Sequence, residues 1–157
     1  MGLSKRGEEM KTMVASIGCL MILAGSTMAG EIRYTTHIKK VFEQKCEACH
    51  GSDAPEYGDF KKDKEKYLAL FKGPKMAGYA NLVHYTGWPD TGALMRKLDD
   101  GANTKDKKPG NMYQYLGADH AERQKNLKLF RDWVGNWTLK RFPELTKKDL
   151  ANIKVAY

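Results

Sequence analysis

A pair of cysteines with two residues between them, directly followed by a histidine, constrains this chain more than any other feature. The three residues are Cys46, Cys49 and His50. The spacing C-x-x-C-H is typical of covalent haem c attachment. The two thiols can add to the vinyl groups along one porphyrin edge, and the adjacent imidazole then lies beneath the ring, where it can bind iron. The motif predicts one covalent haem c, bound through Cys46 and Cys49, with His50 as the proximal iron ligand.

Closely spaced cysteines also occur in zinc sites and in redox-active dithiols. A structural zinc site needs four ligands, and the sequence has no H-x₃₋₅-H pair to complete one. The third cysteine, Cys19, lies in a segment that we expect to be removed. A thioredoxin-like dithiol needs a βαβ setting, for which the sequence gives no sign. Haem attachment is therefore favoured over both alternatives.

The N-terminus has the pattern of a secretory signal peptide, because basic residues precede an apolar run over residues 14–24 and small residues follow it. We predict that residues 1–29 are a signal peptide cleaved after Ala29 and that the protein is located in the periplasm. One alternative is an uncleaved anchor, although the run is shorter than the ~20 residues of a membrane-spanning helix. The other is a lipoprotein attached at Cys19.

The length of 157 residues, with 41% hydrophobic content, is typical of one small domain. We predict that this domain covers residues 30–157, with residues 138–157 as a C-terminal extension. Only the two cysteines of the motif remain after signal cleavage, so no disulfide framework is possible. Side-chain packing and the thioether links must hold the fold.

Apolar residues recur at helical spacing in five segments. The predicted helices cover residues 34–45, 63–72, 91–100, 119–137 and 146–155. The predicted loops are the Gly- and Pro-containing segments 52–60 and 73–90 and the basic segment 101–111. The sequence contains no clear strand pattern, internal repeat or second domain. The expected fold class is all-α, with four to five helices around one covalently bound haem c.

The second axial ligand decides what a haem iron can do, because a six-coordinate iron carries electrons whereas an open site binds small molecules. Met112 is the first candidate for this distal position, since it follows a flexible Gly-Asn step and precedes the longest predicted helix. Met76, Met95 and a histidine such as His37 are alternative candidates, and an open site is another possibility. Each methionine could instead fill a gap in the core.

The order of these features resembles the class I cytochromes c over roughly residues 34–137. The matched residues are Cys46, Cys49, His50, Gly110, Asn111, Met112 and the Phe130, Trp133 and Val134 face of the last long helix. The resemblance implies an all-α fold, covalent haem c, His/Met ligation and a single-electron carrier. The chain departs from these cytochromes at Tyr113, where a proline is usual, in the long segment 60–110 and in its tail. It is also similar to the monohaem periplasmic cytochromes of metal- and electrode-respiring bacteria.

The formal net charge is +8, and removal of residues 1–29, with three basic and two acidic residues, leaves +7. Such a charge attracts acidic surfaces, and the attraction weakens with salt. We expect acidic redox proteins as electron donor and acceptor, docking near Lys105, Lys107 and Lys108. We expect no nucleic-acid partner for an exported haem protein and no stable membrane insertion after signal cleavage.

The sequence therefore favours a periplasmic single-electron carrier that has no catalytic residues and is not an enzyme. One alternative is a peroxidase-like or ligand-binding haem protein with an open or displaceable distal position. In that protein His84, His120 or Arg123 would assist the bound ligand. Another alternative is a haem subunit of a larger redox complex, with the C-terminal extension as its docking arm.

Overall fold

The computed structural model describes Met1 and residues 30–157. The predicted signal peptide, residues 1–29, lies outside the described residues apart from Met1. Over residues 30–157 the chain forms helices and no strand, and an isolated antiparallel bridge joins Gly135 to Ile153. The predicted all-α fold class is confirmed. No helix in this range is both long and apolar enough to cross a bilayer.

The described residues form eight α-helices joined by short connections. The helices are α1 Lys39–Lys45, α2 Glu47–His50, α3 Tyr57–Lys62, α4 Lys64–Ala69, α5 Tyr79–Thr86, α6 Ala93–Leu98, α7 His120–Val134 and α8 Lys147–Ala151. A π-helical turn, Tyr34–Ile38, leads directly into α1, and the 3₁₀ turns Tyr113–Leu116 and Phe142–Glu144 precede and follow α7. All five predicted helices are present, and most are a few residues shorter than predicted.

Two predicted loops, residues 52–60 and 73–90, contain helices that the apolar pattern missed, namely α3 and α5. α5 lies between Gly78, whose φ of 96° ends the preceding extended segment, and Gly87, which caps its C-terminus. Its inner face enters the core, where Leu82 is only 1% exposed. The glycines that suggested a loop therefore mark the two ends of a short helix.

The core forms where the N-terminal helical segment packs against α7. Ile38, Leu127, Trp133 and Val134 are fully buried there, and Phe130 is 1% exposed. Burial of a large apolar side chain contributes roughly 1.5–3 kcal/mol relative to exposure. This contact holds the end of α1, and with it the cysteine motif, in a fixed position.

The N-terminus of α7 is capped by its own side chains. The Asp119 carboxylate accepts a hydrogen bond from the Glu122 N–H at 2.8 Å. The Glu122 carboxylate accepts from the Ala118 N–H at 2.7 Å. Asp119 and Glu122 have the spacing of a capping box, but the returning bond from Glu122 reaches one residue further back than in a standard box.

The last residues of the chain close the domain at its core. The Ala156 carbonyl accepts hydrogen bonds from the Tyr34 N–H at 2.9 Å and from the Trp133 indole N–H at 2.8 Å. The Val155 N–H donates to the Trp133 carbonyl at 3.0 Å, and the Val155 carbonyl accepts from the Tyr79 hydroxyl at 2.8 Å. The C-terminal extension thus packs on its own domain and joins three helical elements.

Candidate haem-binding site

The cysteine motif forms one helical turn at the end of α1. The Cys46 N–H donates to the Phe42 carbonyl at 2.8 Å, and the His50 N–H donates to the Cys46 carbonyl at 2.9 Å. Residues three apart on a helical turn lie on the same side, so Cys46 and Cys49 point along one face. This arrangement suits attachment of both sulfurs to one porphyrin edge.

The two cysteines are free, with Cys46 partly buried and Cys49 exposed. Burial raises the pKa of the Cys46 thiol to about 12, and the nearby Cys49 adds to the effect. Redox-active and nucleophilic cysteines require a lowered pKa, so this environment is opposite to that of a thioredoxin-like dithiol. Over residues 30–157, no three side chains of His, Cys, Asp or Glu are grouped as a metal site would require.

The imidazole of His50 is held by one hydrogen bond to the backbone. Its Nδ1 lies 2.7 Å from the Pro74 carbonyl oxygen and donates to it, because a carbonyl can only accept. This fixes the tautomer and leaves Nε2 with a free lone pair, which is the form that binds a metal. Burial lowers the pKa of His50, and the bond to Pro74 offsets part of that effect. The bond to Pro74 therefore orients the ring, and burial favours its neutral form.

Residues 72–76 run alongside the motif and shape the surroundings of His50. The Gly73 N–H donates to the Cys49 carbonyl, and the Met76 N–H donates to the His50 carbonyl, both at 2.9 Å. A Cβ on Gly73 would overlap the imidazole, lying only 2.6 Å from Nδ1. Two thiols on one face, a neutral imidazole with a free Nε2 and a glycine that leaves room for the ring together fit haem c.

The sequence pattern did not identify Pro74 as the partner of His50. A backbone carbonyl carries no side-chain signal, and Pro74 lies 24 residues further along the chain. In the sequence, Gly73 and Pro74 are only the first residues of the predicted loop 73–90. The chain leaves the motif in an extended conformation at Gly51, with φ of −70° and ψ of −165°.

The candidate methionines lie in three different settings. Met76 belongs to the segment whose backbone contacts His50, whereas Met95 is fully buried in the core on α6. Met112 is half-buried and directly precedes the 3₁₀ turn Tyr113–Leu116, and its N–H donates to the Lys97 carbonyl at 3.0 Å. That turn contacts α1, α6 and α7, so Met112 lies on a loop held between the helices that frame the motif.

The candidate histidines also differ in their surroundings. His37 lies near the surface, where its Nδ1 accepts from the Arg33 N–H at 3.2 Å. His84 lies on α5 between the rings of Tyr57 and Tyr85, at centroid distances of 5.5 and 4.7 Å, and its buried Nε2 has no hydrogen-bond partner among residues 30–157. His120 is exposed at the start of α7.

Arg123 forms a hydrogen bond within the domain, whereas the lysines of the loop after α6 are exposed. The Arg123 guanidinium donates to the Gly117 carbonyl at 3.3 Å, so it holds the segment before α7. Lys105, Lys107 and Lys108 are all exposed on the loop after α6. The three cations lie on one short loop, as the sequence suggested.

Comparison with known proteins supports the haem interpretation. The family model described as PccH cytochrome c matches residues 33–157. A solved structure, that of the monoheme cytochrome PccH from Geobacter sulfurreducens, is 55% identical in sequence. The match covers 82% of this chain and 100% of that one, with a TM-score of 0.77. No curated protein matches the chain. The chain therefore belongs to the PccH cytochrome c family and is a monohaem electron-transfer protein with one covalently bound haem c, not an enzyme.

Proposed function

We propose that this chain is a periplasmic carrier of single electrons in which Cys46 and Cys49 bind the haem covalently and His50 and Met112 are the axial ligands. Haem c supplies the reversible Fe(III)/Fe(II) couple. The observation that carries the proposal is the 2.7 Å hydrogen bond from His50 Nδ1 to the Pro74 carbonyl. It leaves Nε2 free in a turn that also aligns the two thiols.

The His50–Pro74 bond also has an electronic effect. A ligating histidine that donates its second N–H to a carbonyl is a more basic ligand and keeps a fixed ring orientation. Gly73 supports the same geometry from the adjacent position by leaving space for the ring. Both features serve electron transfer, because a ligand set that does not move between oxidation states lowers the cost of reorganisation.

Met112 is favoured as the distal ligand by its position. Met76 is part of the segment that contacts the His50 backbone, which argues for the proximal side, and Met95 is enclosed in the core. Met112 lies half-buried on a separate loop held by α6 and α7. Methionine opposite histidine raises the potential relative to two histidines.

The test combines spectra with two variants of the holoprotein. The pigment should stay with the polypeptide after acid-acetone extraction, and the oxidised protein should have a sulfur-to-iron absorption band. Met112→Ala should abolish that band and lower the potential, whereas Met76→Ala should leave both unchanged. Strong carbon monoxide binding to the untreated reduced protein would instead favour the open-site alternative.

The periplasmic location rests on the sequence pattern of residues 1–29. Export suits covalent haem attachment. Mass spectrometry of the protein from a periplasmic fraction should give residues 30–157 plus one haem. A mass that includes residues 1–29 would contradict the cleavage.

We also propose that the redox partners present acidic surfaces. The support is the charge of +7 that remains after residues 1–29 are removed and the exposure of Lys105, Lys107 and Lys108 on one loop. Charges of this kind speed encounter with an oppositely charged protein.

A further inference from the structure

The loop that carries Met112 is fixed to α6 on one side through its backbone. The Gly110 N–H donates to the Asp99 carbonyl at 2.8 Å, and the Met112 N–H donates to the Lys97 carbonyl at 3.0 Å. Gly110 passes so close to the carbonyl of Lys97 that a Cβ would overlap it. These bonds use carbonyls at the end of α6, which have no partner within the helix.

On the other side, two side chains of α7 hold the turn that follows Met112. Asn126 Nδ2 donates to the Leu116 carbonyl at 2.6 Å at the end of the turn, and Gln124 bonds to Tyr113 at its start. Tyr113, which directly follows Met112, is half-buried, and its hydroxyl accepts from Gln124 Nε2 at 2.9 Å. The same Gln124 nitrogen donates to the Asp100 carboxylate at 3.0 Å. A side-chain amide nitrogen has two hydrogens, so Gln124 can donate one to Tyr113 and the other to Asp100. The two bonds together determine the orientation of the amide.

The Asp100 carboxylate, which accepts from Gln124, is itself held by an ion pair. Asp100 forms an ion pair with Arg131 of α7, in which Arg131 Nη2 lies 2.8 Å from Asp100 Oδ1. The neighbouring Asp99 is fully buried and accepts from the Trp137 indole N–H at 2.9 Å. Asp100, which Arg131 holds, therefore fixes the position of Gln124. Gln124 in turn holds the hydroxyl of Tyr113.

We propose that Tyr113 and Gln124 are positioning residues that hold Met112 at the iron. The inference rests on the proposed role of Met112 as the distal ligand. Without the Tyr113–Gln124 bond, the loop keeps its backbone bonds to α6 and the Asn126–Leu116 bond to α7. The residue next to Met112, however, loses its own hydrogen bond to α7. The methionine then leaves the iron more readily, and a competing ligand gains access.

The experiment uses Tyr113→Phe holoprotein, which lacks only the hydroxyl oxygen. Ferric protein is titrated with imidazole, and loss of the sulfur-to-iron band gives the dissociation constant. Removal of one hydrogen bond predicts about fivefold tighter apparent imidazole binding. Tyr115→Phe is the matched control, because Tyr115 lies in the same 3₁₀ turn and is 58% exposed. It should bind imidazole like the wild type.

A second variant, Gln124→Met, removes the amide donor and keeps the side-chain length. It should also tighten imidazole binding, and the double variant Tyr113→Phe/Gln124→Met should change binding by less than the two single effects combined, because both remove the same bond. Equal imidazole affinity in Tyr113→Phe and wild type, or equal effects of Tyr113→Phe and Tyr115→Phe, would overturn the inference.

Met112→Ala separates this inference from the ligand assignment. If Met112 is the ligand, this variant should bind imidazole far more tightly than the wild type, since no side chain has to be displaced. If it binds imidazole as the wild type does, the ligand assignment and the positioning role both fail. If it binds tightly while Tyr113→Phe matches the wild type, only the positioning role fails.

Discussion

At the scale of single residues, Gly73 and Pro74 act together on His50. Pro74 supplies the carbonyl that accepts from Nδ1, and Gly73 leaves the space that the ring occupies. The residue before a proline is biased towards extended backbone, which carries this short segment past the imidazole. Two adjacent residues thus control the tautomer and the position of the candidate proximal ligand.

Gly73→Ala should displace the His50 ring, because the added Cβ would overlap it. We expect a shifted reduction potential and destabilisation of about 1–3 kcal/mol, the usual cost of overpacking. Spectroelectrochemistry and chemical denaturation of the holoprotein measure the two effects. Gly58→Ala is the control, because a Cβ there meets nothing within 4 Å. A Gly73→Ala protein with wild-type potential and stability would show that the contact does not matter.

The residues of the site differ in how far the sequence could predict them. Cys46, Cys49 and His50 are adjacent in sequence because one cofactor must reach all three, so spacing alone identifies them as candidates. Pro74 acts through its backbone from 24 residues away, and no residue pattern encodes such a contact. Met112 remains a prediction from chain order and from the position of its loop.

At the scale of elements, a long periodic pattern of apolar residues was the reliable indicator of a helix. α7 was predicted because its buried apolar residues recur every three or four positions from Leu127 to Val134. α3 and α5 were missed because each has eight residues or fewer and lies among glycines and prolines. For so short a helix, stability comes from packing rather than from propensity, and packing is not visible in one segment of sequence.

Asp119→Ala should destabilise the protein by about 1 kcal/mol, because the carboxylate caps the N-terminus of α7. Asp132→Ala is the control in the last turns of the same helix, where the carboxylate forms an exposed pair with Lys128. Its effect should stay within about 0.5 kcal/mol. Urea denaturation followed by circular dichroism measures both. Equal destabilisation by the two substitutions would argue against a capping role.

At the scale of the whole molecule, the positive charge determines which surfaces the protein meets. Electron transfer from the reduced protein to an acidic blue-copper protein should slow by about tenfold or more as ionic strength rises from about 0.01 to 0.15 M, as the screening length shortens. Stopped-flow absorbance gives the rate constants. A rate that does not depend on ionic strength would contradict electrostatic docking.

A charge-matched pair of variants tests where docking occurs. Replacement of Lys105, Lys107 and Lys108 by glutamine should remove most of the salt dependence. Replacement of three exposed lysines from the C-terminal extension by glutamine changes the net charge equally and should have a smaller effect. The control lysines are Lys147, Lys148 and Lys154. Equal effects would mean that total charge matters and that the loop is not a specific docking site.

The bonds that join Ala156 to Tyr34 and Trp133 have a consequence for the timing of folding. The Tyr34 N–H, at the beginning of the domain, has its acceptor only after residue 156 has been made, so this contact closes late. Until then we expect the Cys46 thiol to be accessible to solvent and to keep the usual pKa of a cysteine. After closure the thiol is buried, and burial raises its pKa to about 12. We therefore expect the prosthetic group to be attached more readily to the open chain than to a folded apoprotein.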